Sequence, residues 1–566
     1  MGQKYNANEV LSTTGKVTYF KNGTFITENF QLSGAESGGF LDFSDSVEDD
    51  SNYRYSIPRN QDSCTWEIKI PKAGIYEIRV RYNNPGFHMN GHRNMRDERN
   101  CKLMLQPNYS RQNLEEYWLG WLIFNVSGYR EPRGTQIKQT RETISGNQCW
   151  NMNYLRCRLP KGTHHLTFCL DAPPGQAVYD GPNIDYMEIE EVSDEYNTIQ
   201  QVPQLTSNHL FNHEGILLKR SRTLKLQSLW TKKDPTTVQA IKQLKKSKLG
   251  SINYQAHAIS KIDIGPYNNP NNGGLEWTQD CLAAHFQAIL WAVTKNKQYA
   301  IKAITIMNNW ADTLEEVASG NDLKLRFSLV GLDLVAAAEI IRYWYNKDPN
   351  TQIDECWSEQ EIQKFEQFLQ TKIYKKTQSF YPQANGNWDA IIGAFNLAVT
   401  TFCEDVQGFN QCLQQFFIGD IGTKYTLSMG ALPNYIYLSG ESQESNRDQV
   451  HARMGLTGLC QQAWIAMSQG LNLFEAYNQR LLKGVDYCAT YQIGKNVQST
   501  TFISDRKRGE TDISSTCFEI IRAAYDQTTT EFENIIEASQ LTFRKGVENE
   551  AGIQTSHWGW LLYGGK

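Results

Sequence analysis

The sequence predicts a multidomain protein, with a β-sandwich in residues 1–193 and an all-α domain in residues 208–566. Three observations lead to this prediction. The chain has 566 residues, several times the roughly 150 residues of a typical domain. Short alternating segments fill its first third, and long segments of helical periodicity fill the rest. Residues 194–207 are polar without a clear period and are predicted to be the linker.

The predicted strands alternate between apolar and polar residues, as expected for strands that bury one face. Turns rich in proline and glycine separate them: Pro71–Gly74 joins one hairpin and Pro160–Gly162 joins a second. Several short strands of this kind, closely spaced, are typical of a sandwich. The predicted strands cover residues 66–70, 76–82, 155–159, 165–170 and 183–190.

The predicted helices are longer and amphipathic. Seven such segments without clear strand signals between them predict an all-α domain of helices paired around a ring. No exact short repeat occurs, which makes a regular solenoid the weaker alternative. The helices are predicted over residues 280–294, 298–314, 329–345, 359–373, 388–402, 448–469 and 474–491.

Charge and hydropathy exclude several classes of protein. Lys and Arg number 56 against 61 Asp and Glu, a net charge of −5, so binding to nucleic acid through overall charge is not expected. No window approaches the roughly 18 apolar residues of a membrane span. The 14 Trp and 28 Tyr suit either rings that stack on sugars or a large aromatic core, and composition does not separate the two.

The cellular location is predicted from cysteines and glycosylation motifs. The N-terminus has no apolar signal region, so the protein is either intracellular or lacks its signal peptide in this chain. Twelve Cys and sequons at Asn22, Asn108 and Asn125 favour the second alternative. The prediction is therefore a secreted or extracellular glycoprotein, with the signal peptide not present in this chain.

Four segments of the first half carry a resemblance to a known family: Gly39–Phe43, Ala73–Tyr82, Pro160–His164 and Gly181–Tyr186. They resemble the galactose-binding-like sandwiches that serve as carbohydrate-binding modules of families 6 and 35. The resemblance implies sugar binding at the loop rim, where Trp118, Trp150 and Asn183 are the candidates. It also implies a possible structural calcium ion. The alternative is that these rings belong to the core.

Four segments of the second half carry a further resemblance: Asn308–Leu314, Asn385–Asp389, Gly440–His451 and Arg480–Tyr491. With them, the second half resembles the alginate-lyase superfamily of polysaccharide lyases over residues 255–500. The resemblance implies an (α/α) toroid that cleaves an anionic polysaccharide built of uronic acids, such as alginate or glucuronan, without a required cofactor. One departure is Ala336–Glu339, where many relatives read Asn-Ala-Ala-Glu.

Elimination from a uronate sets three chemical tasks. A donor must neutralise the sugar carboxylate, a base must remove the C5 proton, and an acid must protonate the departing O4. Amide and guanidinium groups suit the first task, which is assigned to Asn387 and Arg447. Imidazole or phenol suits proton transfer, which is assigned to His451 and Tyr491. Spacing does not distinguish Tyr491 from four other tyrosines, Tyr435, Tyr437, Tyr487 and Tyr525.

Two clusters of the sequence hold these residues. Arg447 and His451 lie four apart, so a helix would place them on one face. Each candidate also has a structural alternative: a helix cap for Asn387, a solvated ion pair of Arg447 with Asp448, and a packed core residue for His451. The remaining predicted substrate-binding residues are Asn385, Trp388, Glu444, Asp448 and Arg453.

Two other functions stay open at this point. A hydrolase on a similar helical toroid would need two carboxylates flanking the bond, and Glu441, Glu444 and Asp448 offer such a pair. A carbohydrate-binding protein without catalysis is the other alternative. The unsaturated product of elimination distinguishes a lyase from both.

Overall fold

The computed structural model describes most of the chain. The described residues are 2–14, 17–21, 25–26, 31–32, 35–42, 62–83, 99–107, 118–124, 150–170, 181–192, 201–265, 270–318, 323–380, 386–419, 431–445, 448–498, 503, 516–525, 532–543 and 559–564.

Thirteen strands lie in the described part of the N-terminal region. They are β1 Gln3–Asn6, β2 Ser12–Thr14, β3 Thr18–Lys21, β4 Phe25–Ile26, β5 Gln31–Leu32, β6 Gly39–Asp42, β7 Ser63–Ile70, β8 Gly74–Asn83, β9 Arg99–Pro107, β10 Trp118–Phe124, β11 Asn151–Leu159, β12 Gly162–Leu170 and β13 Asn183–Glu191.

These strands form two antiparallel sheets that share one core. One sheet has the order β11-β8-β13-β6-β3, with β1 paired to β13, and the other has the order β10-β9-β12-β7-β2. Side chains on β7 alternate, so that Trp66 and Ile68 are buried while the residue between them is exposed. Across the sheets, the rings of Tyr82 and Phe124 lie 4.8 Å apart. Face-to-face packing of two such sheets is the sandwich that the alternation predicts.

The C-terminal region is helical. Its helices are α1 Arg220–Thr231, α2 Pro235–Lys246, α3 Gly274–Thr294, α4 Lys297–Thr313, α5 Leu323–Ile340, α6 Glu359–Phe368, α7 Lys375–Thr377, α8 Asn387–Phe402, α9 Val406–Phe417, α10 Ala431–Tyr435, α11 Gln449–Ser468, α12 Ala476–Gln492, α13 Thr516–Ala524, α14 Glu533–Phe543 and α15 Gly559–Leu562. Wider π-type turns, Ile341–Tyr345 and Leu369–Tyr374, continue α5 and α6.

Four of these helices form a central row in the order α3, α5, α8 and α11, each packed against the next. At least three quarters of the residues in each of these four helices are buried, as expected for helices with neighbours on most sides. The shorter or more amphipathic helices α4, α9 and α13 pack against the outside of α3, α8 and α11. The row therefore supplies the rigid frame on which α8 and α11 present their N-terminal ends.

The predicted division into a β-rich first part and a helical second part is confirmed. All five predicted strands occur, and each of the seven predicted helices matches an observed one to within a few residues at most ends. The sequence patterns did not reveal α1, α2, α9 or the short C-terminal helices. They also missed a small sheet, β14 Lys261–Ile264, β15 Asn271–Asn272 and β16 Glu316–Val317.

The cysteines were used above as an argument for an extracellular location. No disulfide joins two of the cysteines within the described residues, so the described structure does not add to that argument. The three sequon residues, Asn22, Asn108 and Asn125, lie outside the described residues. Among the described helices, none combines the length and apolar character that a membrane crossing requires.

Candidate functional site

The first turn of α11 is built around Asp448. This residue precedes the helix, and its Oδ1 accepts hydrogen bonds from the backbone N–H groups of Val450 at 3.0 Å and His451 at 2.9 Å. A carboxylate at this position satisfies N–H groups that have no partner within the helix, and it also complements the positive end of the helix dipole. Asp448 therefore fixes the start of α11, and it lies directly beside His451.

The same carboxylate holds the His451 ring. The ring Nδ1 lies 2.9 Å from Oδ1 and 2.8 Å from Oδ2 of Asp448. A carboxylate at this distance keeps a proton on Nδ1, so that Nε2 of the neutral ring is left as a proton acceptor. Asp448 is buried, whereas the His451 side chain is 29% exposed. His451 is thus an oriented and accessible imidazole rather than a packed core residue.

Asn387 and Glu444 form a second polar contact. Asn387 is the first residue of α8, and the residue before it, Gly386, occupies the capping position. Its backbone N–H donates to Glu444 Oε1 at 3.1 Å, and its side-chain Nδ2 donates to the same oxygen at 2.5 Å. Both residues are buried. The amide of Asn387 therefore serves Glu444 and not the helix end, which removes the helix-cap alternative.

A short hairpin connects the two contacts. Its two sides are joined by an isolated antiparallel bridge between Ile436 and Ser442. The backbone N–H of Gln443 donates to the carbonyl of Tyr435 at 2.8 Å. The Tyr435 hydroxyl donates to the carbonyl of His451 at 2.7 Å. Glu444 follows the hairpin directly. We refer to residues 435–443 as the site hairpin, because it links Glu444 to the first turn of α11.

A small pocket lies beside the first turn of α11. Tyr491 of α12 lines it together with Gln449 and Ala452, so this tyrosine lies close to the turn that carries His451. Cys488 also lines the pocket. Burial raises the pKa of its thiol to about 11, and the positive charge of Arg453 offsets only part of that increase. The thiol is therefore protonated near neutral pH and is not a nucleophile.

The other candidate acids have structural tasks. The hydroxyl of Tyr487 donates to the carbonyl of Gln498 at 2.9 Å, and that of Tyr525 donates to the carbonyl of Phe474 at 2.6 Å. Tyr435 supports His451 as described above. Of the five tyrosines that sequence spacing left open, Tyr487 and Tyr491 line the pocket, and the Tyr487 hydroxyl is already engaged with the carbonyl of Gln498.

Arg453 occupies a buried position. Its side chain is only 1% exposed, and Nη1 donates to Gln492 Oε1 at 2.6 Å. The Gln492 amide in turn donates to Gln449 Oε1 at 2.9 Å. In this arrangement the guanidinium joins α11 to α12 and is shielded from solvent.

Several predicted residues are not located by the structure. Arg447 and Asn385 lie outside the described residues. The backbone of Trp118 lies in β10, but its side chain is likewise not described. Trp388 is half-buried next to Asn387 at the start of α8. Within the described residues, the site therefore consists of His451, Asp448 and their neighbours.

The sandwich buries its described rim candidates. Trp150 packs edge-on against Phe40, with ring centroids 5.9 Å apart, and the Arg81 guanidinium lies 5.1 Å from its ring. Asn183 is also buried, and its amide donates to Asn83 Oδ1 at 3.3 Å. Among the described residues no group of three or more His, Cys, Asp or Glu side chains could hold a metal ion.

The carboxylates of the hydrolase alternative are enclosed. Glu441, Glu444 and Asp448 are all buried, and the last two are engaged by Asn387 and His451. A pair of carboxylates flanking an exposed sugar bond is therefore not formed by these residues. Sequence reasoning missed the contribution of Tyr435, because nothing in its local spacing signals a bond to a carbonyl sixteen residues away.

Comparison with solved structures finds carbohydrate-binding modules for the N-terminal region. A family 35 module from Clostridium thermocellum is 16% identical and has a TM-score of 0.19, with 34% of this chain and 99% of that chain covered. A family 6 module of a Zobellia galactanivorans laminarinase is 14% identical, with a TM-score of 0.19 and coverage of 34% and 100%. Likeness at this level says nothing about the ligand.

A larger enzyme also matches over the same share of the chain. It is a cycloisomaltooligosaccharide glucanotransferase from Paenibacillus sp., 19% identical, with a TM-score of 0.20. The match covers 33% of this chain and 18% of that enzyme. The chain thus spans a small part of the enzyme's length.

The curated proteins give no match to this sequence. The model of the alginate lyase family matches residues 233–498, just under half of the chain. The matched range includes α8, the site hairpin, α11 and α12, and therefore every described contact of the site. The match supports a polysaccharide lyase enzyme.

Proposed function

We propose that this protein is a polysaccharide lyase that cleaves a uronan of the alginate or glucuronan type by β-elimination. The observation that carries the proposal is the His451 ring held by Asp448, at the start of a helix within the range that matches the alginate lyase family. An oriented imidazole that is partly exposed is the kind of base that this reaction needs.

His451 is proposed to remove the C5 proton through Nε2. Asp448 keeps the other ring nitrogen protonated and stabilises the imidazolium that forms when the proton arrives. Because the same carboxylate caps α11, the ring and the helix start share one anchor. The base is therefore positioned before the substrate binds.

Asn387 and Arg447 are proposed to bind the substrate carboxylate. Glu444 holds one side of the Asn387 amide group, and the second hydrogen on Nδ2 can be donated to the sugar. Charge on the carboxylate increases as the C5 proton leaves, so donors placed there stabilise the transition state more than the ground state. Arg447, next to Asp448 in sequence, would supply the positive charge. Asn385 and Trp388 are proposed to make further contacts with the polysaccharide.

Tyr491 is proposed as the acid that protonates the departing O4. Its support is its place in the pocket beside the first turn of α11. The central row of buried helices with outer helices packed against it supports the (α/α) toroid as the architecture of this domain. The sandwich is proposed to be a sugar-binding accessory domain, and the enzyme is proposed to act outside the cell.

A panel of purified polysaccharides tests the proposed function. We expect ultraviolet absorbance from unsaturated uronate ends to rise with alginate or glucuronan and to stay flat with a neutral glucan. Shortening of a uronan without new absorbance would indicate a hydrolase. Binding of uronans without any shortening would indicate a carbohydrate-binding protein and contradict the proposal.

A further inference from the structure

We propose that the sandwich positions the catalytic groups of the helical domain by clamping Tyr437 at the tip of the site hairpin. Tyr154 and Arg156 of β11 form the clamp. This inference rests on the proposed function, because it assigns a task to residues that support His451 and Glu444. It adds that the sandwich contributes to turnover and not only to sugar binding.

The outer face of β11 is directed at the helical domain. Leu155, Cys157 and Leu159 alternate into the sandwich core, so Tyr154 and Arg156 project from the opposite face. Tyr154 is nevertheless buried. Because β11 is an edge strand of its sheet, an aromatic residue on its outer face is buried only if another part of the protein covers it.

Tyr437 provides that cover. Its ring centroid lies 4.3 Å from that of Tyr154, and the Arg156 guanidinium lies 4.0 Å from the Tyr437 ring centroid. Arg156 forms an ion pair with Glu77 of β8, in which Nη2 lies 2.6 Å from Oε2. Burial raises the pKa of Tyr154, and the neighbouring Tyr437 adds to the increase. The ring of Tyr437 thus lies between a tyrosine and an anchored cation, which is a favourable aromatic and cation–π arrangement.

The next residue of the hairpin extends the contact. Leu438 packs against Ile75 and Val192 of the sandwich. The contact therefore includes apolar packing as well as the contact between the two tyrosine rings. Two consecutive residues at the hairpin tip are held by the sandwich.

Short hydrogen bonds connect the tip to the site. The backbone N–H of Tyr437 donates to the carbonyl of Glu441 at 2.9 Å, and Arg480 Nη1 of α12 donates to the carbonyl of Ile436 at 3.1 Å. Tyr435, two residues from Tyr437, donates to the His451 carbonyl. A shift of the tip is therefore transmitted within two residues to the turn that carries the base.

The hairpin turn has little freedom to absorb such a shift. Gly440 has φ of +90°, and a Cβ at this residue would lie 2.7 Å from the carbonyl oxygen of Lys483. Only glycine fits this left-handed conformation without strain. The turn is therefore in direct contact with the backbone of α12, which limits how far the tip can shift.

The test compares two buried tyrosines of the sandwich in the full-length protein. Tyr154→Ala removes the clamp, whereas Tyr76→Ala removes a core ring of β8 that faces away from the helical domain and serves as the matched control. Displacement of a catalytic group by about 1 Å can cost up to about 100-fold in rate. We expect Tyr154→Ala to lower kcat about 10- to 100-fold on a short uronan oligosaccharide with KM nearly unchanged. Tyr154→Phe, which keeps the ring, should restore kcat.

Amide hydrogen exchange of residues 431–452 provides a readout that does not depend on activity. We expect faster exchange in Tyr154→Ala than in wild type or Tyr76→Ala. Unchanged exchange and kcat in Tyr154→Ala, or equal losses in Tyr76→Ala, would overturn the inference. If wild type cleaves no uronan, the proposed function fails, while the exchange comparison still supports or overturns the clamp.

Discussion

The His451→Ala variant is expected to lose nearly all turnover while it keeps its fold and its affinity for the uronan. General acid–base groups contribute about 10²–10⁴-fold to the rate, and the His451 side chain is 29% exposed, so its removal should leave little empty space in the core. We therefore expect kcat to fall by about 10²–10⁴-fold, with KM and the thermal midpoint little changed. Steady-state kinetics and thermal unfolding check the two parts of the expectation.

Asp448→Asn is the companion variant. An asparagine still caps α11, but it no longer holds a charged partner against Nδ1 of His451. We expect a stable protein with impaired kcat, because the imidazolium loses its stabilising charge. If His451→Ala keeps more than about a tenth of wild-type kcat, a loss smaller than this class of residue produces, then His451 is structural and a tyrosine is the base.

The second large effect is expected at Asn387. Asn387→Asp places a second carboxylate against the buried Glu444, which Asn387 contacts at 2.5 Å. Two buried like charges without a donor between them are strongly unfavourable. Asn387→Ala only leaves the Glu444 oxygen without its side-chain donor, at a cost of about 1–3 kcal/mol. We expect the aspartate variant to be worse than the alanine variant in both stability and kcat, measured by urea unfolding and kinetics.

The double variant Asn387→Asp with Glu444→Gln separates packing from catalysis. In this variant residue 387 carries the carboxylate and residue 444 carries the amide, so donor and acceptor exchange places across the same contact. The free energy of unfolding should therefore return towards the wild-type value. Turnover should not return, because an aspartate cannot donate to the sugar carboxylate. Recovery of kcat together with stability would make Asn387 a purely structural partner of Glu444. Near-normal turnover in Asn387→Asp alone would exclude its role in binding the carboxylate.

Local patterns predicted the long elements because burial on one face is periodic in sequence. The alternation around Trp66 and Ile68 marks β7, and the apolar series of residues 280–294 marks α3. Helices α1 and α2 were missed because each has only 12 residues, fewer than any of the segments in which the helical period was recognised. The capping residue Asp234 and the following Pro235 form a start signal that could have identified α2.

The candidate site was predictable only where its parts are close in sequence. Asp448 and His451 are three residues apart, so one helical turn brings them together. The contact of Asn387 with Glu444 joins residues far apart in the chain, and no local pattern fixes which amide meets which carboxylate. The burial of Arg453 was equally invisible, because an arginine near a motif is as compatible with a surface site as with a buried link.

The contact between the two domains was not predictable for a related reason. Tyr154 and Arg156 alternate with core residues, and such positions on an edge strand normally face solvent. Only the placement of the site hairpin shows that they are covered. The boundary at residues 194–207 remains a prediction about the chain, and the residues described there, 201–207, have no regular secondary structure.

The most direct test of the central claim is the mass of the products from a uronan oligosaccharide of defined length. Elimination breaks the bond to O4 without consuming water, so the masses of the two fragments add up to the mass of the substrate. The account predicts this equality in wild type and no fragments in His451→Ala. Fragment masses that exceed the substrate by one water per cleaved bond would show hydrolysis and contradict the account.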